Sequence, residues 1–193
     1  MASKIPNNLV PLFVVQEDAF TSAEIDSIVA IGQQKTLTDS VLADGSNKSK
    51  IRASSNAWLF PDHENIWLFE RVKDIIHRLN AENYGYELDV HEPLQFASYD
   101  SPRREFYGKH TDCAFNLSSP STSRKLSITL QLSDAADYKG GELVFHPGSK
   151  PVKAPRKKGM LIVFPSFIVH EVRPVTQGTR YSLVTWVHGP LFK

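Results

Sequence analysis

The spacing of apolar residues changes once along this chain, near residue 88. Upstream it follows helical steps, and downstream it follows the two-residue period of strands. Residues 9–15 are apolar and β-leaning, and Pro11 among them predicts a strand at a sheet edge. Thr21 followed three residues later by Glu24 is a capping-box start, because hydroxyl and carboxylate can each take a free N–H of a first turn. A helix to about Gln34 is expected, with Ile25, Ile28 and Val29 toward the core. Residues 37–42 allow one short strand. Residues 43–56 are polar and contain Gly, Ser and Lys, which predicts an exposed loop and a candidate lid. Residues 57–60 read as a strand stopped by Pro61. Ile66, Phe69, Val72, Ile76 and Leu79 then mark the inner stripe of a second helix over residues 65–79.

Downstream, residues 94–99 form a strand that ends at the turn Asp100, Ser101, Pro102. Leu126, Ile128, Leu130 and Leu132 alternate with Ser127, Thr129 and Gln131. One face is apolar and the other polar but uncharged, and such a face either meets water or lines a polar pocket. Gly140-Gly141 is a turn before a strand over residues 142–145. Residues 159–165 read as a buried strand, 176–179 as a turn and 180–186 as the final strand. No repeat or linker interrupts the pattern. The expected fold is mainly β with flanking helices (α+β): a two-sheet jelly roll, two N-terminal-half helices packed on one sheet, and one domain over residues 1–193.

Charge and cysteine content narrow the surroundings. Lysine and arginine total 22 against 21 acidic residues, a net charge of +1, which argues against a nucleic-acid partner or an anionic membrane. Lys153, Arg156, Lys157 and Lys158 are a short basic cluster that reads as a solvated loop. No apolar run is long enough to span a membrane, and residues 1–8 lack the apolar core of a secretion signal. Cys113 is the single cysteine, so no intrachain disulfide forms. A cytoplasmic protein is expected.

The candidate chemistry lies between Tyr107 and Trp186. His110 and Asp112 stand two apart, and side chains two apart on a strand share a face, so both can reach one ion. The pattern alone is weak, since about 0.4 such triplets arise by chance in a chain of this composition. His170 on one strand and Arg180 at the start of its hairpin partner can face the same pocket. Two histidines and a carboxylate on one side of an octahedron leave open positions opposite, which is the non-haem iron oxygenase arrangement.

With His110-Thr111-Asp112, Gly140-Gly141-Glu142-Leu143, Lys158 and residues 159–164, His170, Pro174-Val175 with Gly178, Arg180 and Trp186, the chain resembles a known family. These are the iron(II)- and 2-oxoglutarate-dependent dioxygenases, in their prolyl 4-hydroxylase-like branch. The likeness covers roughly residues 94 to 190, with a looser likeness to small bacterial and phage members back to about residue 10. It implies a double-stranded β-helix, Fe(II) on His110, Asp112 and His170, and 2-oxoglutarate with its distal carboxylate on Arg180. It further implies cosubstrate contacts from Tyr99, Ser127, Gln131 and Ser182. O2 is the oxidant, and ascorbate is an accessory reductant. Arg52, Ser54 and Trp58 resemble positions on the substrate side. The reaction implied is hydroxylation of an unactivated C–H bond, with a prolyl residue of a peptide or protein as substrate. Collagen-type enzymes often carry lysine where Arg180 stands, which weakens any specifically collagen-like substrate.

Three other readings fit the residues less well. The same chemistry on another residue or a small molecule keeps every motif. A non-catalytic jelly-roll binding module would not need all three ligands and Arg180. A zinc hydrolase would want a glutamate base in His-Glu-x-x-His, a pattern the chain lacks.

Overall fold

The computed structural model describes residues 10–39, 51–113 and 122–190. The first element is an edge strand, β1 (Val14–Gln16), which follows Pro11. The capping box then forms as expected: Glu24 N donates to Thr21 Oγ1 at 3.3 Å, and Thr21 N donates to Glu24 Oε2 at 2.8 Å. It opens α1 (Ser22–Gln34), which buries Ile25 and Ile28. Gly32 is what lets this helix lie down on the sheet. A Cβ there would sit 2.3 Å from Phe96 Cδ2, so no larger residue fits.

Short strands β2 (Thr38–Asp39), β3 (Arg52–Ala53) and β4 (Ser55–Leu59) follow. The expected loop over 43–56 is therefore shorter than its polarity suggests. Its last residues pair as strands, and residues 43–50 lie outside the described ones. The second helix, α2 (Ile66–Asn83), runs one turn further than expected. Its inner stripe is Leu68, Val72, Ile76 and Leu79, with Phe69 partly buried against it, whereas Ile66 is exposed.

The remaining strands are β5 (Leu94–Asp100), β6 (Phe106–His110), β7 (Thr122–Gln131), β8 (Lys139–Gly140) and β9 (Leu143–Phe145). They continue with β10 (Val152–Lys153), β11 (Leu161–Pro165), β12 (His170–Val172), β13 (Val175–Gln177) and β14 (Thr179–Pro190). They form a seven-stranded sheet in the order β1-β11-β7-β14-β5-β4-β2 and a five-stranded sheet in the order β10-β9-β12-β6-β3. A small pair, β13 with β8, closes one end. The pairings are antiparallel, and the architecture is the double-stranded β-helix.

The alternation in β7 sorts its two faces. Leu126, Ile128 and Leu130 join Ile25, Ile28, Leu68 and Ile76 in the core between sheet and helices. Ser127, Thr129 and Gln131 point the other way, yet all three are buried. The uncharged polar face thus meets the space between the sheets and not water. A second apolar cluster, with Phe145, Ile162 and Phe164, fills the other part of that space.

One expectation about connectivity fails. His170 and Arg180 are not on hairpin partners: β12 pairs with β6 and β9, while β14 pairs with β5 and β7 in the opposite sheet. The two residues therefore stand on different sheets. The basic cluster lies at the surface as expected, its side chains in largely exposed pairs. Lys157 meets Asp18, Lys158 meets Asp26, Lys153 meets Glu142, and Arg156 donates to Tyr138. Among the described residues, no helix is long and apolar enough to cross a membrane.

Candidate metal centre

His110 and His170 are direct cross-strand partners on β6 and β12, so their side chains rise from the same face as neighbours. Asp112 is not on the strand. It lies two residues past the end of β6, in a segment tied down by Asp112 N and Cys113 N, both donating to Ser166 O. The two-residue spacing therefore brings the pair together through a strand end and a bend, not through strand periodicity.

The ligand atoms converge. His110 Nε2 is 3.5 Å from Asp112 Oδ1, His170 Nε2 is 3.4 Å from Asp112 Oδ2, and the three donor atoms all lie within 4.8 Å of one another. Atoms at right angles about an ion with bonds of about 2.1 Å stand about 3 Å apart. The group is thus close to the size that one ion closes.

The surroundings fix the chemical form of each ligand. His110 Nδ1 lies 2.8 Å from Gly108 O, and His170 Nδ1 lies 2.9 Å from Ile168 O. Each carbonyl can take only an N–H, so each Nδ1 carries the proton and each Nε2 keeps its lone pair. Burial, the largest influence, lowers the pKa of His170 and keeps that ring neutral. Burial opposes charge on Asp112 as well. Where the His170 and His110 rings carry protons, they and the Ser127 hydroxyl outweigh it and hold the carboxyl well below the ordinary carboxylate range. Two neutral imidazoles and a carboxylate make a donor set suited to a borderline divalent ion.

Ring packing holds the set. Tyr107 stacks on His110 at 3.5 Å between centroids, and Phe164 meets His170 edge-on at 4.8 Å. Ser127 Oγ donates to Asp112 Oδ2 at 2.7 Å and lies 2.9 Å from Ser166 Oγ. Ser127 was expected on the cosubstrate. The structure sets its hydroxyl on the carboxylate ligand, where it fixes the rotamer.

A cavity of about 290 Å³ opens beside the three ligands. Tyr99, Thr129, Leu143 and Phe164 line its inner part. Arg52, Asn56, Trp58, Gln95, Arg124 and Trp186 line the remainder. Arg180 is not itself on the lining. It sits behind Tyr99, its Cζ 5.4 Å from that ring, and is 1% exposed. Arg180 Nη1 donates to Ser182 Oγ at 3.2 Å and Nη2 to Gln131 Oε1 at 3.1 Å. Tyr99, Gln131, Ser182 and Arg180 therefore form one group of neighbours, and Ser127 stands with the Asp112 carboxylate. Gly141 makes room for it: at φ +63, its added Cβ would lie 3.0 Å from Arg180 Cδ.

Among the described residues Arg180 meets only neutral oxygens, and its Nε has no partner. A buried cation without an anion is costly, so this pocket is built for a carboxylate. The donor set and the unmatched guanidinium together fit a divalent ion with a dicarboxylic acid.

The sequence gives no role to Tyr107, Asn56, Gln95 or Arg124, all of which line the cavity. Thr129 also lines it, on the polar face of β7 from which contacts were expected. The others sit on four different strands, and no local pattern unites them.

A profile of the 2OG-Fe(II) oxygenase superfamily matches residues 94–188. A PKHD-type hydroxylase of Prochlorococcus marinus is 36% identical over 119 residues, which cover 61% of this chain and 51% of that protein. A PKHD-type hydroxylase of Crocosphaera subtropica is 27% identical over 177 residues, covering 90% of this chain and 77% of that protein. The first such relatives are matched over 36% to 51% of their own length, so the chain spans about a third to a half of them. Among solved structures, a prolyl hydroxylase of Trichoplax adhaerens is similar in fold. It is in complex with a hypoxia inducible factor oxygen degradation domain peptide fragment. The TM-score is 0.76 at 22% identity, over 94% of this chain and 84% of that one.

Proposed function

We propose that this chain, whose residues 94–188 match the 2OG-Fe(II) oxygenase superfamily, is an iron(II)- and 2-oxoglutarate-dependent dioxygenase hydroxylating a prolyl residue of a peptide or protein. One observation carries the reading: two imidazoles and a carboxylate converge on one point, and behind Tyr99 of the same cavity lies a buried arginine with no anionic partner among the described residues.

In this reading residues 1–193 act as a single catalytic domain. His110, Asp112 and His170 would hold the iron. Arg180, with Gln131, Ser182 and Tyr99, would hold a carboxylate of 2-oxoglutarate. Iron, 2-oxoglutarate and O2 together supply the oxidising power that attacks the C–H bond. The chain supplies orientation and dryness. Ser127 turns the Asp112 carboxylate, the backbone carbonyls of Gly108 and Ile168 set the imidazole tautomers, and Tyr107, Phe145 and Phe164 shield the ligands. No side chain is needed as a general base. Trp58, Trp186 and the polar groups around them form the outer cavity, where a substrate chain would enter.

The prolyl substrate is supported by the Trichoplax adhaerens complex, whose ligand is a peptide, and by the hydroxylase names of the relatives. A cytoplasmic setting accords with one buried free thiol, Cys113, and with the reduced state that iron(II) requires.

The test has two stages. Anaerobic addition of iron(II) and 2-oxoglutarate is expected to give a weak visible charge-transfer band. Admission of O2 with a panel of proline-containing peptides is then expected to release succinate matched by hydroxyproline. No band removes the oxygenase reading. A band with succinate but no hydroxyproline keeps the chemistry and removes the prolyl substrate.

A further inference from the structure

Asp112 lies beyond the end of β6, so no strand pairing sets its side chain. Ser166, just past the end of β11, stands next to it. The pairing of Phe164 with Ser127 brings Ser166 diagonally across from Ser127 on the neighbouring strand. Ser166 N donates to Lys125 O at 3.0 Å, and Ser166 O accepts from Asp112 N at 2.9 Å and from Cys113 N at 3.1 Å. The residue is 0% exposed, and its Oγ lies 2.9 Å from Ser127 Oγ.

The direction of that last contact follows from counting protons. A hydroxyl has one proton to give, and a carboxylate can only accept. Ser127 gives its proton to Asp112 Oδ2 at 2.7 Å. The proton between the two hydroxyls is therefore that of Ser166. The three groups form a one-way chain, from Ser166 to Ser127 to Asp112, in a buried place where each bond polarises the next. Without the Ser166 proton, Ser127 keeps a buried lone pair unmet and is the weaker donor. The other carboxylate oxygen, Oδ1, faces His110 Nε2 at 3.5 Å.

Resting on the reading of His110, Asp112 and His170 as the ligands of one ion, we infer that Ser166 is a positioning residue: its hydroxyl keeps Ser127 donating to Asp112 Oδ2, so that the carboxylate is held in one orientation with Oδ1 turned to the ion. Ser166 acts through Ser127 and not on the ion. Its main chain sets where the bend at Asp112 lies, and its side chain sets how the carboxylate is turned.

The experiment reads metal binding without turnover. Metal-free protein is titrated with cobalt(II) under argon against a competing chelating dye, and the visible d–d absorption of the bound ion is recorded. Asp112→Ala sets the background from other groups. Ser127→Ala and Ser166→Ala are each expected to bind cobalt(II) about tenfold more weakly than wild type, as is usual when a group behind a metal ligand is removed. The double variant is expected to be no weaker than Ser127→Ala, because Ser166 then has nothing left to act on. At saturation the two single variants should share one altered d–d band. Losses that add in the double variant, or a Ser166→Ala complex with the wild-type band, mark a merely structural role and overturn the assignment. Unchanged affinity in Ser166→Ala overturns it too, as does metal-free Ser166→Ala that no longer melts cooperatively. Wild type that binds no more cobalt(II) than Asp112→Ala removes the metal-centre reading itself.

Discussion

The two sheets treat their polar residues differently. On the seven-stranded sheet, Ser127, Gln131, Arg180 and Ser182 come from the long central strands β7 and β14, which pair with each other over nine positions. Helices α1 and α2 brace the far side of that sheet. On the five-stranded sheet, the ligands come from β6 and β12, strands of five and three residues with a register shift between them, and from a bend beyond β6. The Arg180 pocket is therefore preformed by extensive backbone pairing, whereas the ligand triad depends on local ties through Gly108, Ile168 and Ser166. In the proposed function the stiffer sheet would carry the organic acid, and an ion would clip β6 to β12. The polar atoms of Arg180 already have two oxygen partners, while each imidazole Nε2 points toward the shared carboxylate.

The largest effect should come from the less braced side. Asp112→Ala is expected to abolish the charge-transfer band and all succinate release. The seven-stranded sheet has its own core, so circular dichroism of the variant should stay native-like. Residual turnover above a few per cent would show that the carboxylate is misassigned. Next comes the braced side. Arg180→Ala should raise the 2-oxoglutarate requirement on the order of 100-fold, the loss typical of removing one partner of a buried charge pair. Iron affinity should barely move, because the ligands belong to the opposite sheet. A parallel fall in iron affinity would erase the distinction drawn between the sheets, and an unchanged 2-oxoglutarate requirement would remove the anchor.

The smallest effect concerns the brace. His91, bridged to Val187, lies with Nε2 3.0 Å from His77 Nε2 on α2. Burial first, then His77 and Lys73, push its pKa from the ordinary 6.5 to about 4. Between these values the unfolded chain takes up a proton that the folded chain refuses. Stability is therefore undiminished by this group above pH 6.5, falls as pH drops toward 4, and levels off below. His91→Gln should flatten that part of the melting-temperature profile and leave the band unaltered. Parallel profiles for wild type and variant across this range would rule out His91 as the source.

Local signals were legible where the physics is local. The Thr21–Glu24 cap, the helical steps through Ile76 and Leu79 and the alternation of β7 need only near neighbours, and each stands where expected, whereas the edge strand expected over residues 9–15 forms only at Val14–Gln16, beyond Pro11. The misreadings came from partners far along the chain. Ile66 fits the helical stripe but is exposed, and residues 51–56 look like a loop until β3 and β4 find β6 and β5. His170 and Arg180 are close in sequence, yet a sheet crossing separates them. Ser166 carries no signal of its own. Ser127 is 39 residues away from it, and only the folded chain brings the two together.

By itself, the order of residues determined which stretches coil and which extend, which face of β7 is polar, and which side chains have the chemistry to hold an ion and an acid. Those properties depend on side-chain type and a repeat of two to four residues, and both can be read from the chain. Tertiary structure decided which of those groups meet. It set His110 opposite His170, turned Ser127 to Asp112 and not to Arg180, and matched Arg124 with Glu92 while leaving Arg180 without a carboxylate. Such pairings rest on strand order and register across two sheets, which no local repeat encodes.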